Sequence, residues 1–179
     1  MTLDEIKDLR IKYKADQGPG DALEFCNMIE KINPKTIVEI GVQRGGSLRI
    51  WCNSLGPDGL AIGIDREFVD ISWDTDSVPF KVHKVQGCSH EEATINKVKE
   101  ILGGRKIDVL FIDGDHSEEG QQKDWADYSP LVRDGGIVGI HDIALDQGTI
   151  RWWKRFPYNQ HAIVVDGQGI GVVVMGKYE

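Results

Sequence analysis

The chain has 179 residues, a mass of 20.0 kDa, a net charge of −8 and a pI near 5.1, with 40% apolar and 28% charged residues. That length suits one domain with a substantial core, and the acidic balance argues against a nucleic-acid backbone as main partner, because phosphate binding relies on clustered Lys and Arg. No run reaches membrane-spanning length, the N-terminus lacks the apolar stretch of a signal peptide, and Cys26, Cys52 and Cys88 form no CxxC pair, so a reduced, cytoplasmic protein with cysteines as small core residues is expected.

Leu3, Ile6, Leu9 and Tyr13 recur at helical spacing and predict a first amphipathic helix, broken by "ADQGPG". "DALEFCNMIEKI" restarts a helix with Asp21 as N-cap and stops before Asn33-Pro34. "KTIVEIG" then reads as a buried β-branched strand. Further strands are expected at "LAIGID" (60–65), "FKVHKVQG" (80–87), "IDVLFIDG" (107–114) and "GGIVGIHDI" (135–143). Helices are expected at "HEEATINKVKEIL", whose Ile95, Val98, Ile101 and Leu102 share a face, at "SEEGQQKDWADYSPLV" (117–132) and around "GTIRWWKRF". In that last segment one of Trp152 and Trp153 should face the core while the cations stay solvated, and its aromatic helix could wall a substrate site. "HAIVVDG" and "IGVVVMG" flank Asp166-Gly167-Gln168-Gly169 and read as an antiparallel hairpin.

Alternating strands and helices imply an α/β fold with a parallel sheet covered on both faces. Such sheets bind ligands at the carboxyl ends of their strands. A polar cluster follows or ends each expected strand, so the places to inspect are Glu39 to Ser47, Asp65, Gly87 to His90, Asp113 to His116 and His141-Asp142.

"VEIGVQRGGS" places Gly41 directly after a strand and Gly45-Gly46 where a helix begins, which allows a tight turn and close approach of a ligand. The spacing G-x-x-x-G-G is not the dinucleotide G-x-G-x-x-G. Asp65 ends the second strand 24 residues past Gly41, where an acidic side chain accepts from ribose hydroxyls. In "IDGDHS", Asp113, Asp115 and His116 end one strand, and His141-Asp142 end the next. Neighbouring strand ends lie about 5 Å apart, and carboxylates gathered so closely need a shared cation or proton. Oxygen ligands suit a hard divalent ion.

"VEIGVQRGGS", "GID", "FIDGDHSEEGQQKDWADYSPLVRDGGIVGIHDI" and the closing hairpin together resemble the class I S-adenosylmethionine-dependent methyltransferases, within them the cephalosporin-hydroxylase-like and macrocin-type O-methyltransferase group. The resemblance runs from about Asp21 to Met175 and implies a single-domain Rossmann-like fold with a seven-stranded sheet in order 3-2-1-4-5-7-6. Residues 1–20 would be an N-terminal helix and linker, and residues 21–179 the methyltransferase domain. By the same resemblance Glu39, Gly41 and Ser47 would meet the methionine end of S-adenosylmethionine, Asp65 the ribose hydroxyls, and Gly87, Cys88 and Ser89 the adenine, with Arg66 as a further cofactor-binding residue. Cys88 stands where many relatives carry Asp, so Ser89 or a backbone carbonyl would take the adenine amino group. Asp113 would border the cofactor and, with His141 and Asp142, hold a divalent metal. Many relatives carry Asp-Asp or Asp-Asn in place of His141-Asp142, and the softer His141 would favour Mn²⁺, Fe²⁺ or Zn²⁺ over Mg²⁺, or else hydrogen-bond Asp115. Either Asp115 or His116 would be the base that deprotonates an acceptor hydroxyl, with His116 titrating nearer neutrality.

The implied activity is methyl transfer to a hydroxyl of a small molecule, a sugar or natural product, with divalent-metal assistance by magnesium or manganese. No nucleic-acid or membrane partner is expected, and a homo-oligomer is compatible with the sequence. Two other readings remain open here: a metal-dependent hydrolase using Asp113, Asp115, His116, His141 and Asp142 as a dinuclear site, and a non-catalytic cofactor-binding module. Acceptor contacts are expected from variable loops such as "REFVDISWDTDSVP".

Overall fold

The computed structural model describes residues 1–67, 73–157 and 161–176. Helix α1 (Leu3–Tyr13) starts with a capping box in which Thr2 and Glu5 satisfy each other's backbone N–H, and it ends at left-handed Lys14. Helix α2 (Pro19–Ile32) begins two residues before Asp21, so the expected Asp21 N-cap is wrong. Pro19 has no N–H to lose and favours the first helical turn. That places Asp21 inside the helix, where its carboxylate instead accepts from Val165 N at 2.6 Å and Gly169 N at 3.1 Å.

Strand β1 (Thr36–Ile40) leads into the short helix α3 (Gly46–Trp51), followed by a 3₁₀ turn over Cys52–Ser54. Then come β2 (Leu60–Asp65), β3 (Lys81–Gln86), α4 (Glu92–Leu102), β4 (Ile107–Ile112) and α5 (Glu118–Tyr128). Strand β5 (Val132–His141) starts three residues before the expected Gly135, because a 3₁₀ turn at Ser129–Leu131, with Pro130 near its start, already ends the helical run. Helix α6 (Gln147–Arg155), β6 (His161–Ile163) and β7 (Ile170–Val174) complete the described elements. Strand β6 is shorter than "HAIVVDG" suggested: Val164 and Val165 leave the sheet and are exposed.

Among the described residues seven strands form one sheet in the order β3-β2-β1-β4-β5-β7-β6. Strands β1 to β5 run parallel, and β7 lies antiparallel to both β5 and β6. The expected α/β fold and strand order are thus the observed ones. Side chains alternate between faces. Ile37 joins a core with α1, α2 and α3, where Phe25, Trp51 and Phe111 pack with centroids 5.0 to 5.4 Å apart. Val38 and Ile40 join a second core with α4, α5 and α6. Both Trp152 and Trp153 are buried there, against Phe156. No helix among the described residues is long and apolar enough to cross a membrane.

The strand order reverses between β1 and β4, and the carboxyl ends of the parallel strands share one rim. Along that rim the order is Gly87 after β3, Asp65 ending β2, the glycine loop after β1, Asp113 after β4 and His141-Asp142 at the end of β5.

Candidate active site

The glycines after β1 are required by the chain itself. Gly41 has φ +84°, and a Cβ there would lie 2.0 Å from the Asp113 carbonyl oxygen. A Cβ at Gly46 would lie 2.4 Å from the Tyr13 carbonyl oxygen, because the end of α1 rests on the start of α3. The room that sequence reasoning gave to a ligand at these two positions is therefore partly filled by neighbouring backbone. Two partners fix the loop from outside. Asp65 accepts from Gln43 N at 2.7 Å, and Trp73 Nε1 donates to the Gly45 carbonyl at 2.7 Å. The Arg49 guanidinium lies over both Tyr13 and Trp73, at 5.3 and 5.8 Å from the ring centroids.

Glu39 is the last residue but one of β1, opposite Gly63 and Phe111 on the flanking strands, and is fully buried. Ser47 Oγ donates to its Oε1, while Oε2 has no partner. Burial pushes the Glu39 carboxyl well above the usual carboxylate range; the Ser47 bond opposes this, and the charges of Asp113 and Asp65 reinforce it. Ser47 lines the rim cavity and Glu39 stands behind it.

At the other end of the rim, the loop after β3 is held by α5. Tyr128 donates to the Ser89 carbonyl at 2.9 Å, and Lys123 Nζ to the His90 carbonyl at 3.3 Å. His90 Nε2 lies 3.1 Å from Asp124 Oδ1, close enough for an ion pair but not aligned as a hydrogen bond. Cys88 turns its sulfur toward Arg66 Nη2 at 3.7 Å.

Asp113 is the hub of the remaining residues. Its Oδ1 lies 3.0 Å from His141 Nδ1 and 3.2 Å from His116 Nε2, and its Oδ2 accepts from Gln17 Nε2 at 2.9 Å. Asp142, in a left-handed conformation at φ +59°, lies 3.3 Å from His141 Nδ1 and 3.4 Å from His116 Nδ1. Burial works against the Asp113 charge, but the two histidines outweigh it and hold the carboxyl below its ordinary range. The Asp113 bond raises His116 against its burial, and the same partner raises His141 against stronger burial. Burial raises Asp142, with His141 opposing.

Donor atoms of Asp113, His141 and Asp142 all lie within 4.8 Å of one another. Adjacent donors on an octahedral ion at about 2.1 Å stand about 3 Å apart, which matches the 3.0 and 3.3 Å separations from His141 Nδ1. Two carboxylates and one imidazole therefore fit a divalent ion such as Mn²⁺. The same spacing suits shared protons.

Asp115 takes no part in this group. Its Oδ1 accepts from Ser117 N at 2.9 Å, a bond that holds the carboxyl below its ordinary range, with the His90 and Arg66 charges adding to the effect. His141 accordingly contacts Asp113 rather than Asp115. Among the described residues no second metal-type cluster accompanies the first, as a dinuclear hydrolase would need.

One cavity of about 560 Å³ joins the rim, lined by Gly41, Ser47, Asp65, Arg66, Gly87, Ser89, Asp113, Asp115, His116, His141 and Asp142. Of the expected site residues, Glu39 and Cys88 do not line it, and neither does helix α6. Among the lining residues that the sequence reading did not single out are Gln17, from the break between α1 and α2, and Gln168, from the β6–β7 hairpin. Polar residues in turns carry no signal that they will meet a strand end about a hundred positions away. Of the variable loop 66–79, residues 68–72 lie outside the described residues.

The strand order and the rim define a Rossmann-like α/β domain of the methyltransferase type. A family model described as "Methyltransferase domain" matches residues 38–143. The chain is 30% identical over 117 residues to 8-demethyl-8-(2-methoxy-alpha-L-rhamnosyl)-tetracenomycin-C 3'-O-methyltransferase of Streptomyces olivaceus, covering 62% of this chain and 28% of that protein. It is 30% identical over 162 residues to caffeoyl-CoA O-methyltransferase of Mesembryanthemum crystallinum, covering 82% of this chain and 59% of that one. The structure of MycE methyltransferase from the mycinamycin biosynthetic pathway, in complex with Mg and SAH, shares the fold with a TM-score of 0.69 at 18% identity, over 94% of this chain and 54% of that chain. The chain belongs to the methyltransferase domain family, and it spans between about a quarter and three fifths of the length of these relatives.

Proposed function

We propose that the chain binds S-adenosylmethionine in the rim cavity and transfers its methyl group to a hydroxyl of a small molecule, a sugar or natural product, with the help of a divalent ion. The observation that carries this reading is the convergence of Asp113, His116, His141 and Asp142 on the cavity that also takes in Asp65 and the glycine loop. The names of the tetracenomycin and caffeoyl-CoA relatives support methyl transfer to oxygen, and the Mg and SAH in MycE support the cofactor and the ion. Residues 1–20 serve in this reading as a cover on the domain formed by residues 21–179. Three unpaired cysteines support a reducing, cytoplasmic setting. The acidic charge and the absence of a spanning helix among the described residues support a small-molecule partner over nucleic acid or membrane.

When bound, the cofactor supplies an electrophilic sulfonium methyl, and the ion lowers the pKa of the acceptor hydroxyl. Asp65 receives the ribose hydroxyls, and Arg66, Gly87, Ser89 and the backbone beside Cys88 frame the adenine. Gly41 and Ser47 border the methionine end, with Glu39 orienting Ser47 from behind. Asp113, His141 and Asp142 hold the ion. His116 takes the hydroxyl proton, because the negative charges of Asp113 and Asp142 flank its ring and stabilise the imidazolium. Asp115 is the poorer base, since its bond to Ser117 N lowers its proton affinity. Orientation of the two reactants in one cavity supplies the rest.

Titration calorimetry with S-adenosylhomocysteine, followed by transfer of labelled methyl to a panel of sugars and phenols with Mn²⁺ or Mg²⁺, tests the proposal. Heat of binding and label on a hydroxyl are expected. No heat with S-adenosylhomocysteine would reject it, whereas binding without transfer to any acceptor would favour a non-catalytic module.

A further inference from the structure

We infer that Gln17, in the linker between α1 and α2, is a positioning residue that sorts the two oxygens of Asp113, so that Oδ1 stays beside His141 and is presented to the ion. The inference rests on the ion-binding reading above.

The two oxygens have separate partners. Oδ2 accepts from Gln17 Nε2 at 2.9 Å, while Oδ1 meets His141 and His116 at 3.0 and 3.2 Å. The ionised carboxylate only accepts, so the amide must turn its NH₂ toward it, and this fixes which way the amide points. Gln17 is 3% exposed, and its Oε1 is buried without a partner. Leaving a buried acceptor unmet is costly, and an apolar side chain would fill the same space without that penalty. The amide is therefore accounted for by the single bond it makes to Asp113.

The linker that carries it is itself fixed. Ala15 N donates to the Arg10 carbonyl at 3.0 Å, the Tyr13–Ala15 backbone rests against Gly46, and Gly20 N at the start of α2 donates to Asp166. Carboxylates that ligate metals are commonly held by such outer hydrogen bonds, and losing one costs about 10- to 100-fold in metal affinity. Gln17 lies before the matched stretch of residues 38–143, so this contact comes from the segment that covers the domain.

The test is Mn²⁺ binding to wild type and Gln17→Leu, read by electron paramagnetic resonance, beside S-adenosylhomocysteine binding by calorimetry. Mn²⁺ affinity is expected to fall by about tenfold or more, and by a larger factor than S-adenosylhomocysteine affinity. If Gln17→Leu does not fold, Gln17→Asn, which keeps the amide but withdraws it by one methylene, is expected to show the same split. Equal Mn²⁺ affinity in variant and wild type would overturn the inference, as would a wild type that binds S-adenosylhomocysteine but no Mn²⁺. A wild type that binds Mn²⁺ but no S-adenosylhomocysteine would reject the proposed function and, with weaker Mn²⁺ binding in the variant, still support the role of Gln17.

Discussion

His116 Nε2 lies 3.2 Å from Asp113 Oδ1, and the opposite ring nitrogen lies 3.4 Å from Asp142. An imidazole so flanked can receive a proton from a hydroxyl in the cavity and keep it. Replacing it by His116→Gln should lower methyl transfer by about 10²- to 10⁴-fold while S-adenosylhomocysteine still binds. Asp115→Asn should cost far less. Comparing single-turnover rates of the two variants decides the base, and a larger loss in Asp115→Asn would reassign it.

The protonation of the cluster sets a pH dependence whose sign follows from the shifts. His116 and His141 are raised in the fold, so their contribution is complete below the ordinary histidine value and fades as pH climbs through the raised values. Asp142 is raised as well and acts in the same direction, from the ordinary carboxylate range upward. Asp113 is lowered, and its contribution is lost only as pH falls into the acid range. The thermal midpoint measured with chelator should therefore decline from neutral to alkaline pH. Mn²⁺ affinity should climb over the same interval, because the cation takes the place of protons. A midpoint that stays level in chelator would show that the cluster is not held by protons.

Gly41→Ala should destabilise the fold by about 3 kcal/mol or more, because it combines a positive φ with a backbone collision. The collision is with the Asp113 carbonyl, 2.0 Å from the added carbon. Gly56→Ala, where an added carbon meets nothing within 4 Å, is the control and should change stability by less than about 0.5 kcal/mol. Urea unfolding of the two variants measures the contrast, and equal midpoints would contradict it.

Tyr128→Phe keeps the buried ring and removes the hydroxyl that donates to the Ser89 carbonyl at 2.9 Å. One such bond contributes about 1 kcal/mol to the fold, so the variant should lose about that much stability and, if Ser89 frames the adenine, bind S-adenosylhomocysteine more weakly. An unchanged dissociation constant would detach that loop from the nucleoside.

Much of the fold and of the rim was legible in the sequence because both depend on local pattern. β-branched runs between amphipathic stretches mark parallel strands, and polar residues at strand ends fall on one rim once the sheet forms. That rule points to Asp113 to His116 and to His141-Asp142, while the choice of Asp113, His141 and Asp142 as ligands rests on the family resemblance; β4 and β5 are indeed neighbours. What could not be read depends on contacts between distant turns. Gln17 meets Asp113 across 96 positions, and Asp21 meets the hairpin across 144 to 148. Asp21 looked like a cap because it precedes an apolar periodic run, and only the hairpin's unpaired N–H groups show its actual task. Gly41 and Gly46 were singled out for close approach of a ligand, and period and spacing could not tell that backbone atoms of Asp113 and Tyr13 approach there.

The bonds between the start of α2 and the β6–β7 hairpin run both ways: Asp21 accepts from Val165 and Gly169, and Asp166 accepts from Gly20 and Asp21. A seam of this kind can close only after Val165 to Gly169 have left the ribosome. Contacts of such long sequence separation, 144 and 148 positions, favour slow folding. A nascent chain arrested before Val165 would carry an α2 whose buried acid has no amides to receive, and would be an early target for proteolysis.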